Sequence, residues 1–407
     1  MARPATKQTA LWVIRRLRKA GFQGLLAGGC VRDMLLGRRS ADYDVATDAT
    51  PQQVRRLFDH VLLVGAKFGV AMVLHGGRRV EVTTFRSDLS YSDGRHPDGV
   101  RYGSPREDAL RRDFTINGMF YDPLAESVID HVGGRADLAR RLVRTIGSPD
   151  ERFDEDYLRM LRAVRFAVRL GFHLDDATAA AIERHAAKIT VISGERIFDE
   201  LCKMLSDRTA GDALAMLDRL RLARTVLGEL FVGEPVWPVA VARVRAVARR
   251  RDASLALAAL LLDMPLAAIR RIARRWGAPN RLRGELCWLA DHRGGWRTAA
   301  EMPLCDLKRL MYHERFDDLR RLWRFEERRA TGRQTKCRRI ARRVNAIGPD
   351  RIAPPPLLTG DDLRQMGMQQ GPRLGRVLKR VYDAQLDETI HTRADAERLA
   401  ETLVAKP

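Results

Sequence analysis

The stretch 25–46, LLAGGCVRDMLLGRRSADYDVA, constrains the fold more than any other part of the chain. Its apolar start, its Gly28-Gly29 turn and its later Asp42 and Asp44 predict a strand, a turn, a helix and a second strand. Side chains alternate along an extended chain, so the two aspartates share one face. Paired carboxylates on one face suit hard divalent cations such as Mg²⁺.

The residues after the glycine turn suit a phosphate group. The turn opens a helix that carries Arg32 and Asp33 near its start, and a helix N-terminus with an arginine is a favourable place for phosphates. Metal-binding carboxylates beside a phosphate site indicate phosphoryl or nucleotidyl transfer. An acidic pair alone is common in solvated turns, so this interpretation depends on the whole string.

The string GGxVRD followed by DxD resembles the bacterial class II tRNA nucleotidyltransferases (CCA-adding enzymes) and their poly(A) polymerase relatives, within the polymerase-β-like superfamily. The resemblance is dense over residues 25–205, thin through the middle helices and visible again in the tail. It implies that Asp42 and Asp44 hold two Mg²⁺ ions. Gly28 and Gly29 would then belong to the phosphate site, together with Arg32 and Asp33.

A third carboxylate for this centre is Glu81. It alternates with Val80 and Val82 in a predicted strand over 79–85, which forms a hairpin with 70–75 through two glycines. A half-exposed strand glutamate is the alternative. The family pattern EVTTFR favours the functional interpretation.

The segment 111–117, RRDFTIN, resembles a second family motif. Asp113 and Asn117 are four residues apart, which places them on one face of a helix. Such a pair suits hydrogen bonds to ribose hydroxyls, while Arg112 and its neighbour can reach phosphates. The alternative is a helix with a solvated charged face.

The segment 155–159, EDYLR, begins a predicted long helix in which Asp156 and Arg159 share a face. Cytosine and adenine each present an amine donor beside a ring nitrogen that accepts, so a carboxylate and a guanidinium complement them. Uracil and guanine instead present a carbonyl acceptor beside an N–H donor, so the same two side chains do not match them. The family assigns this selection to its EDxxR motif, and an intrahelical ion pair is the alternative. Arg162 and Arg165 follow on an adjacent stripe and are interpreted as nucleotide-phosphate or RNA contacts, or else as a solvated face.

The composition agrees with a nucleic-acid partner. The 407 residues include 73 Lys and Arg against 52 Asp and Glu, a formal net charge of +21. The five cysteines are scattered and suggest neither a disulfide framework nor a zinc site. The longest apolar run, 255–262, is too short to span a bilayer. We therefore expect a cytoplasmic protein without a membrane partner.

The expected architecture is an α+β head of the polymerase-β-like type, a small mixed sheet with helices, followed by an all-α neck, body and tail. The boundaries are 1–150 for the head, 151–215 for the base-recognising neck, 216–350 for the RNA-binding body and 351–407 for the tRNA-binding tail. The polar segment 87–104 resembles the flexible loop of the family. The resemblance implies template-independent addition of C, C and A from CTP and ATP to the 3′ end of tRNA, with release of pyrophosphate.

Three alternatives stay open at this point. Bacterial poly(A) polymerases share the head motifs but typically carry a basic GRRFR-like string, where this chain has GAKFG at 65–69. That difference favours tRNA end synthesis. Enzymes that add only CC or only A are harder to separate. The intact DxD and EDxxR motifs argue against a non-catalytic RNA-binding protein. The oligomeric state is left open.

Overall fold

A computed structural model of the chain describes residues 3–4, 6–64, 66–89, 99–228 and 236–405. Two compact units divide the chain. The first contains residues 1–237, 250–253 and 274–278, and the second contains 238–249, 254–273 and 279–407.

The strands of the described chain all lie in the first unit. They are β1 (Arg3–Pro4), β2 (Leu25–Ala27), β3 (Asp44–Thr47), β4 (Val61–Leu62), β5 (Val70–His75), β6 (Arg78–Thr84), β7 (Arg86–Asp88), β8 (Val100–Tyr102), β9 (Phe120–Asp122), β10 (Ser127–Ile129), β11 (Leu142–Val143) and β12 (His173–Leu174). The main sheet has the order β10-β9-β2-β3-β6-β5-β4, with β1 beside β6. Because β3 and β6 run parallel while their other neighbours are mostly antiparallel, the predicted mixed sheet is confirmed.

The helices of the first unit surround this sheet and continue beyond it. They are α1 (Lys7–Lys19), α2 (Gly29–Leu35), α3 (Pro51–Leu57), α4 (Pro105–Leu110), α5 (Gly134–Ala139), α6 (Pro149–Glu155), α7 (Leu158–Leu170), α8 (Asp176–His185), α9 (Gly194–Leu205), α10 (Ala210–Arg219) and α11 (Leu222–Val226). Short 3-10 turns cover Ala66–Phe68, Thr115–Asn117 and Ala186–Val191.

The rest of the described chain is helical, as predicted. Its helices are α12 (Val236–Val247), α13 (Ala253–Leu261), α14 (Leu266–Arg275), α15 (Asn280–Asp291), α16 (Leu304–Tyr312), α17 (Phe316–Thr331), α18 (Thr335–Asn345), α19 (Gly360–Gln365), α20 (Pro372–Leu386) and α21 (Arg393–Ala405). Its 3-10 turns cover Ala248–Arg250, Gly295–Arg297 and Pro349–Arg351. None of the described helices has the length and apolar character that crossing a membrane requires.

Local sequence signals explain several of these elements. Gly76 and Gly77 take φ of 56° and 69°, a left-handed conformation that suits the two-residue turn between β5 and β6. Thr50 caps α3 by accepting from the backbone N–H of Gln53, while the Gln53 side chain accepts from Thr50 in return. The predicted hairpin is therefore confirmed.

The sheet register places the candidate catalytic strand beside Glu81. Val45 of β3 pairs with Val82 of β6, so the residues one step earlier, Asp44 and Glu81, are neighbours. Ala46 shares the face of Asp44 and packs in a core cluster with Ala109 of α4. This core supports the strand that presents Asp44.

Two predicted helices are wrong in detail. The helix expected to begin at Glu155 is interrupted, because Asp156 is extended (φ −157°, ψ 102°) and its carboxylate accepts from the backbone N–H of Leu158. The helix expected to carry both Asp113 and Asn117 is instead a 3-10 turn that begins only at Thr115, so Asp113 lies before it. Here the Asp113 carboxylate accepts from the next backbone N–H at 2.8 Å. Short acidic side chains compete for backbone donors in this way.

The segment 87–104 is more ordered at its ends than predicted. Strands β7 and β8 pair antiparallel, and α4 begins directly after them with a Ser104–Glu107 capping box. The central residues 90–98, on which the flexible-loop prediction mainly depends, lie outside the described residues. The same holds for Gly65 of the GAKFG string.

The second unit contains a buried ionic cluster of its own. The fully buried Arg243 donates to Glu326 and Asp263 at 2.7 Å each and to the carbonyl oxygen of Ala259 at 2.8 Å. Each bond satisfies a donor that would otherwise be buried without a partner. This cluster joins α12, α13 and α17.

Gly134 supports the 3-10 turn of the head. A Cβ on this residue would collide with the carbonyl oxygen of Thr115 and lie 2.9 Å from the Met119 side chain. We expect Gly134→Ala to lower the free energy of unfolding by about 1–3 kcal/mol, as overpacking does. Urea denaturation measures the loss. Gly228→Ala, which adds a Cβ in open space, should change the stability little, and equal stability of both variants would contradict the tight contact.

Candidate active site

A cleft of about 500 Å³ in the first unit collects residues from all three sequence motifs. It is lined by Gly28, Gly29, Arg32, Asp44, Arg111, Arg112, Asp113, Asn117, Asp156, Leu158, Arg159, Arg162, Arg165, Phe166, Arg169 and Arg196. Segments far apart in sequence therefore meet in one place, as the motifs predict.

The acidic end of the cleft is formed at β3. The half-buried Asp44 has its pKa raised to about 7, because burial and the charges of Glu81 and Asp42 outweigh the nearby Arg112. Although much of the Glu81 side chain is exposed, its pKa is also raised, by partial desolvation among its neighbours and by the charge of Asp42. The charges of Asp42 and Glu81 therefore reach Asp44 and oppose its ionisation. Such mutual repulsion is relieved when a cation binds between them.

These carboxylates fit a magnesium ion that is shared with a substrate. Among the described residues, no group of three or more His, Cys, Asp or Glu side chains is arranged to hold a metal by itself. Mg²⁺ in proteins commonly takes one or two carboxylates and completes its shell with waters and substrate phosphates. The oxygen chemistry of Asp42 and Asp44, with Glu81 beside them, meets that requirement.

The glycine turn brings an arginine close to the backbone. Gly28 has φ of 73°, and a Cβ there would lie 3.0 Å from Nη1 of Arg112. Arg112 is held by the fully buried Asp108, whose Oδ2 accepts from its Nη2 at 2.8 Å. Burial would raise the pKa of Asp108, but Arg112 and Arg111 outweigh it, and that pKa is lowered. An ionised carboxylate thus fixes both arginines at the cleft.

Asp113 and Asn117 come together despite the missing helix. Asn117 donates to Asp113 at 3.2 Å and accepts from Nη1 of Arg32 at 2.7 Å. Arg162 donates to the other oxygen of Asp113 through Nε at 2.9 Å and Nη2 at 2.7 Å. Burial would raise the pKa of Asp113, but its bonds to Arg162 and Asn117 lower it. The predicted ribose pair is therefore also a link between α2 and α7.

The two predicted base-selecting residues have separate supports. Asp156 accepts from Nη2 of Arg196 on α9 at 2.7 Å. Arg159 is buried, pairs with Glu155 and donates to the carbonyl oxygen of Arg152 at 2.9 Å. The predicted alternative, an intrahelical ion pair, is thus replaced by two pairs with other partners. Both side chains still line the same cleft.

Three arginines of the cleft, from α2 and α7, lie around the ring of Phe166. The guanidinium carbons of Arg32, Arg162 and Arg165 lie 5.2, 5.4 and 4.3 Å from the centroid of Phe166. Arg165 also donates to the buried Glu200 at 2.7 Å. The arginines are thus ordered by the protein before any ligand arrives.

Three predicted residues do not line the cleft itself. Asp33 pairs with Arg32 at 2.7 Å, so it holds that arginine in place. Asp42 is exposed just before β3, and Glu81 is exposed on β6. These two act on the site through their charges on Asp44.

Sequence reasoning missed the residues that hold the site residues. Asp108 precedes its two arginines by three and four residues, a helical spacing that could have indicated the pairing. Phe166 follows Arg162 by four residues on α7, so the same rule applies to it. No local pattern indicates the role of Arg196, since its partner Asp156 is 40 residues away.

Family models and known proteins both match this chain to CCA-adding enzymes and poly(A) polymerases. The family described as the poly(A) polymerase head domain matches residues 25–144, and the one described as a probable RNA- and SrmB-binding site of polymerase A matches 171–232. A CCA-adding enzyme of Geobacillus kaustophilus is 40% identical over 283 residues, covering 68% of this chain and 67% of the relative. Poly(A) polymerase I of Salmonella typhimurium is 40% identical over 249 residues, covering 58% of this chain and 51% of the relative.

A solved structure extends the likeness over almost the whole chain. The CCA-adding enzyme of Bacillus stearothermophilus in complex with CTP superposes with a TM-score of 0.77 at 29% sequence identity. The match covers 97% of each chain. The helical part is therefore similar to that enzyme as well as the head.

The raised pKa of Asp44 predicts how acid and metal affect stability. The folded protein holds this proton up to about pH 7, against an ordinary value of 3.8. The resulting stabilisation is present at low pH and is lost as the pH rises from about 4 to about 7. Mg²⁺ competes with the proton, so it should raise the Tm more at pH 8 than at pH 6.

Thermal denaturation with and without Mg²⁺ measures this difference. Asp44→Asn should abolish the metal-induced rise at both pH values. Asp59→Asn, which changes an exposed acid that does not line the cleft, should keep the wild-type response. The same rise at both pH values in the wild type would refute the shared metal and proton site.

Proposed function

Because the chain belongs to the family of CCA-adding enzymes and poly(A) polymerases, we propose that it is a CCA-adding tRNA nucleotidyltransferase. It adds C, C and A from CTP and ATP to the 3′ end of tRNA and releases pyrophosphate. One observation carries the proposal: a single cleft holds Asp44 of the acidic centre, the phosphate-facing Arg112, and both Asp156 and Arg159. Reaction and base selection can therefore act on one bound nucleotide.

Asp42 and Asp44 would hold Mg²⁺, with Glu81 as a further carboxylate. Bound there, the metal supplies Lewis acidity for the triphosphate and for the 3′-hydroxyl of the RNA. Arg112 and Arg32 compensate the charge of the triphosphate, and the turn at Gly28 and Gly29 lets phosphate oxygens approach the backbone. Arg162 and Arg165 add positive charge on the neck side of the same cleft.

Asp113 and Asn117 bind the ribose in this proposal. Asn117 keeps a free lone pair on its carbonyl oxygen and a free N–H on its amide, so it can bind a ribose hydroxyl directly. The Asp113 carboxylate already accepts four bonds, so it would bind a ribose hydroxyl in exchange for one of them. Because the same two residues anchor Arg32 and Arg162, ribose binding also fixes the arginines around the phosphates.

Asp156 and Arg159 select the base. Arg196 holds the Asp156 carboxylate, whose oxygens accept from the amine of cytosine or adenine. Arg159, held by Glu155, donates to the neighbouring ring nitrogen. Uracil and guanine would meet Asp156 with a carbonyl oxygen, leaving two acceptors opposed. No nucleic-acid template is then required.

The tRNA would bind to the helical part through its phosphates. The net charge of +21 supports this, as does the match of residues 171–232 to a probable RNA-binding segment. We assign the neck to 151–215, the body to 216–350 and the tail to 351–407, after a head of 1–150. Since tRNA is processed where it is made and used, we place the reaction in the cytoplasm.

Poly(A) polymerase activity is the second candidate, because such enzymes are also similar over the head. Two observations favour CCA addition. The CCA-adding relative is covered over 67% of its length against 51% for poly(A) polymerase I. The residues Ala66–Phe68 form a 3-10 turn with a single lysine instead of a strongly basic string.

Three tRNA substrates and single nucleotides separate these candidates. We expect C addition to tRNA that lacks CCA and to tRNA ending in C, and A addition to tRNA ending in CC, after which extension stops. Asp44→Asn should remove all incorporation while tRNA affinity persists. Continued addition of A would identify a poly(A) polymerase, and loss of either the C or the A step would identify a partial enzyme.

Arg159→Ala tests the base-selecting role. Without this donor, UTP or GTP misincorporation should rise relative to CTP and ATP by roughly tenfold to a hundredfold, since a good bidentate base contact is worth about 1–3 kcal/mol. Competition assays with all four nucleotides on tRNA lacking CCA give the ratio. Arg169→Ala, which removes an exposed arginine of the same cleft, should keep the wild-type preference. A folded Arg159→Ala enzyme with unchanged selectivity would refute the assignment.

A further inference from the structure

A second basic groove, of about 600 Å³, lies on α1 and α3 of the first unit. Its lining combines cationic side chains with an indole ring and consists of Trp12, Arg15, Arg16, Lys19, Ala20, Arg56 and Leu57. Within the described residues this lining includes no acidic side chain, and it shares no residue with the candidate active site. The groove is therefore a separate cationic surface.

Arg16 is ordered before any ligand binds. Its Nε donates to the carbonyl oxygen of Leu57 at 2.7 Å, and its guanidinium carbon lies 5.9 Å from the Trp12 ring and 5.6 Å from the Phe58 ring. Trp12 in turn stacks on His75, with 3.7 Å between centroids and 8° between planes. The other N–H groups of Arg16 have no hydrogen-bond acceptor among the described residues. A fixed arginine with spare donors loses little conformational entropy when it binds an anion.

The neighbouring positive charges are uncompensated. Arg15, Lys19 and Arg56 are exposed and form no ion pair with any residue that the structure describes. Arg18, on the same helix, does pair with Asp122. The groove thus concentrates positive charge at one point of the head, which attracts a polyanion.

The groove lies on the other face of the sheet from Asp44. Ala46, on the face of Asp44, packs with Ala109 of α4 and with Phe120. Helix α1 packs against β3 and β6 but contributes no described residue to that cluster, so it covers the opposite face. An anion in the groove is therefore not the reacting nucleotide.

We propose that this groove binds the phosphodiester backbone of RNA, at a segment remote from the reacting 3′ end. Guanidinium groups match phosphate oxygens, and the partly exposed Trp12 offers a surface on which a base can stack. The choice of RNA as the polyanion rests on the proposed function. The contact extends the RNA footprint to the back of the head, beyond the neck, body and tail.

Charge reversal tests this contact. The variant R15E/K19E/R56E is compared with R135E/R140E/R141E, which makes the same charge change at exposed head residues outside the groove. Fluorescence anisotropy follows binding of a labelled tRNA transcript without CCA. We expect the groove variant alone to lose about tenfold or more in affinity, and its log–log salt slope to fall by about two units, since each phosphate contact contributes about 0.7–0.9. C addition to a short acceptor-arm hairpin should stay at the wild-type rate.

Crosslinking gives a second, independent readout. A tRNA containing 4-thiouridine should crosslink to peptides from 7–19 or 51–57. Equal affinity and slope for the two variants, or no crosslink in these peptides, would overturn the proposal. If the reversed variant melts below the wild type, R15Q/K19Q/R56Q takes its place. Absence of C and A addition by the wild type would refute the proposed function, whereas RNA affinity and crosslinks report on the groove alone.

Discussion

The ion pair between the buried Asp113 and the partly exposed Arg162 connects the head to the long helix of the cleft. Asp113 lies next to the 3-10 turn of the head, and Arg162 lies on the long helix α7. Asn117 carries the connection on to Arg32 in the helix that follows the glycine turn. Removing one partner of a buried pair leaves an uncompensated charge, which commonly costs about 3–5 kcal/mol. The pair therefore links the turn at 115–117 and α2 to α7.

The arginines of the cleft are mostly neutralised by the protein itself. Asp108 and Glu200 are almost fully buried, and each accepts from more than one cationic side chain. The large net charge of the chain is thus a poor guide to where an anion binds. The arrangement of side chains is a better guide to where an anion binds. The cleft offers arginines fixed by acids beside a glycine turn, and the groove on α1 and α3 offers cations without acids.

The sequence predicts the architecture well because its signals are local. The glycine turns and the alternation around Glu81 act through neighbouring residues, and the structure confirms the elements that they predict. The placement of Asp156 could not be predicted in the same way. Its extended backbone and its partner Arg196 depend on a contact across 40 residues. Likewise, the turn at 115–117 replaces a helix because the Asp113 side chain takes a backbone donor that the helix would use.

The interruption between α6 and α7 has a geometric consequence for recognition. Asp156 sits at the break and is held from α9, while Arg159 sits inside α7 and is held from α6. The acceptor and the donor of the proposed base-selecting pair are thus held by partners on two different helices, α9 and α6. A pyrimidine and a purine present the same pattern at different depths. In the proposed function, a shift of α9 against α7 would change the distance between Asp156 and Arg159 and leave the carboxylates on β3 in place, so one pair of side chains would fit bases of two sizes.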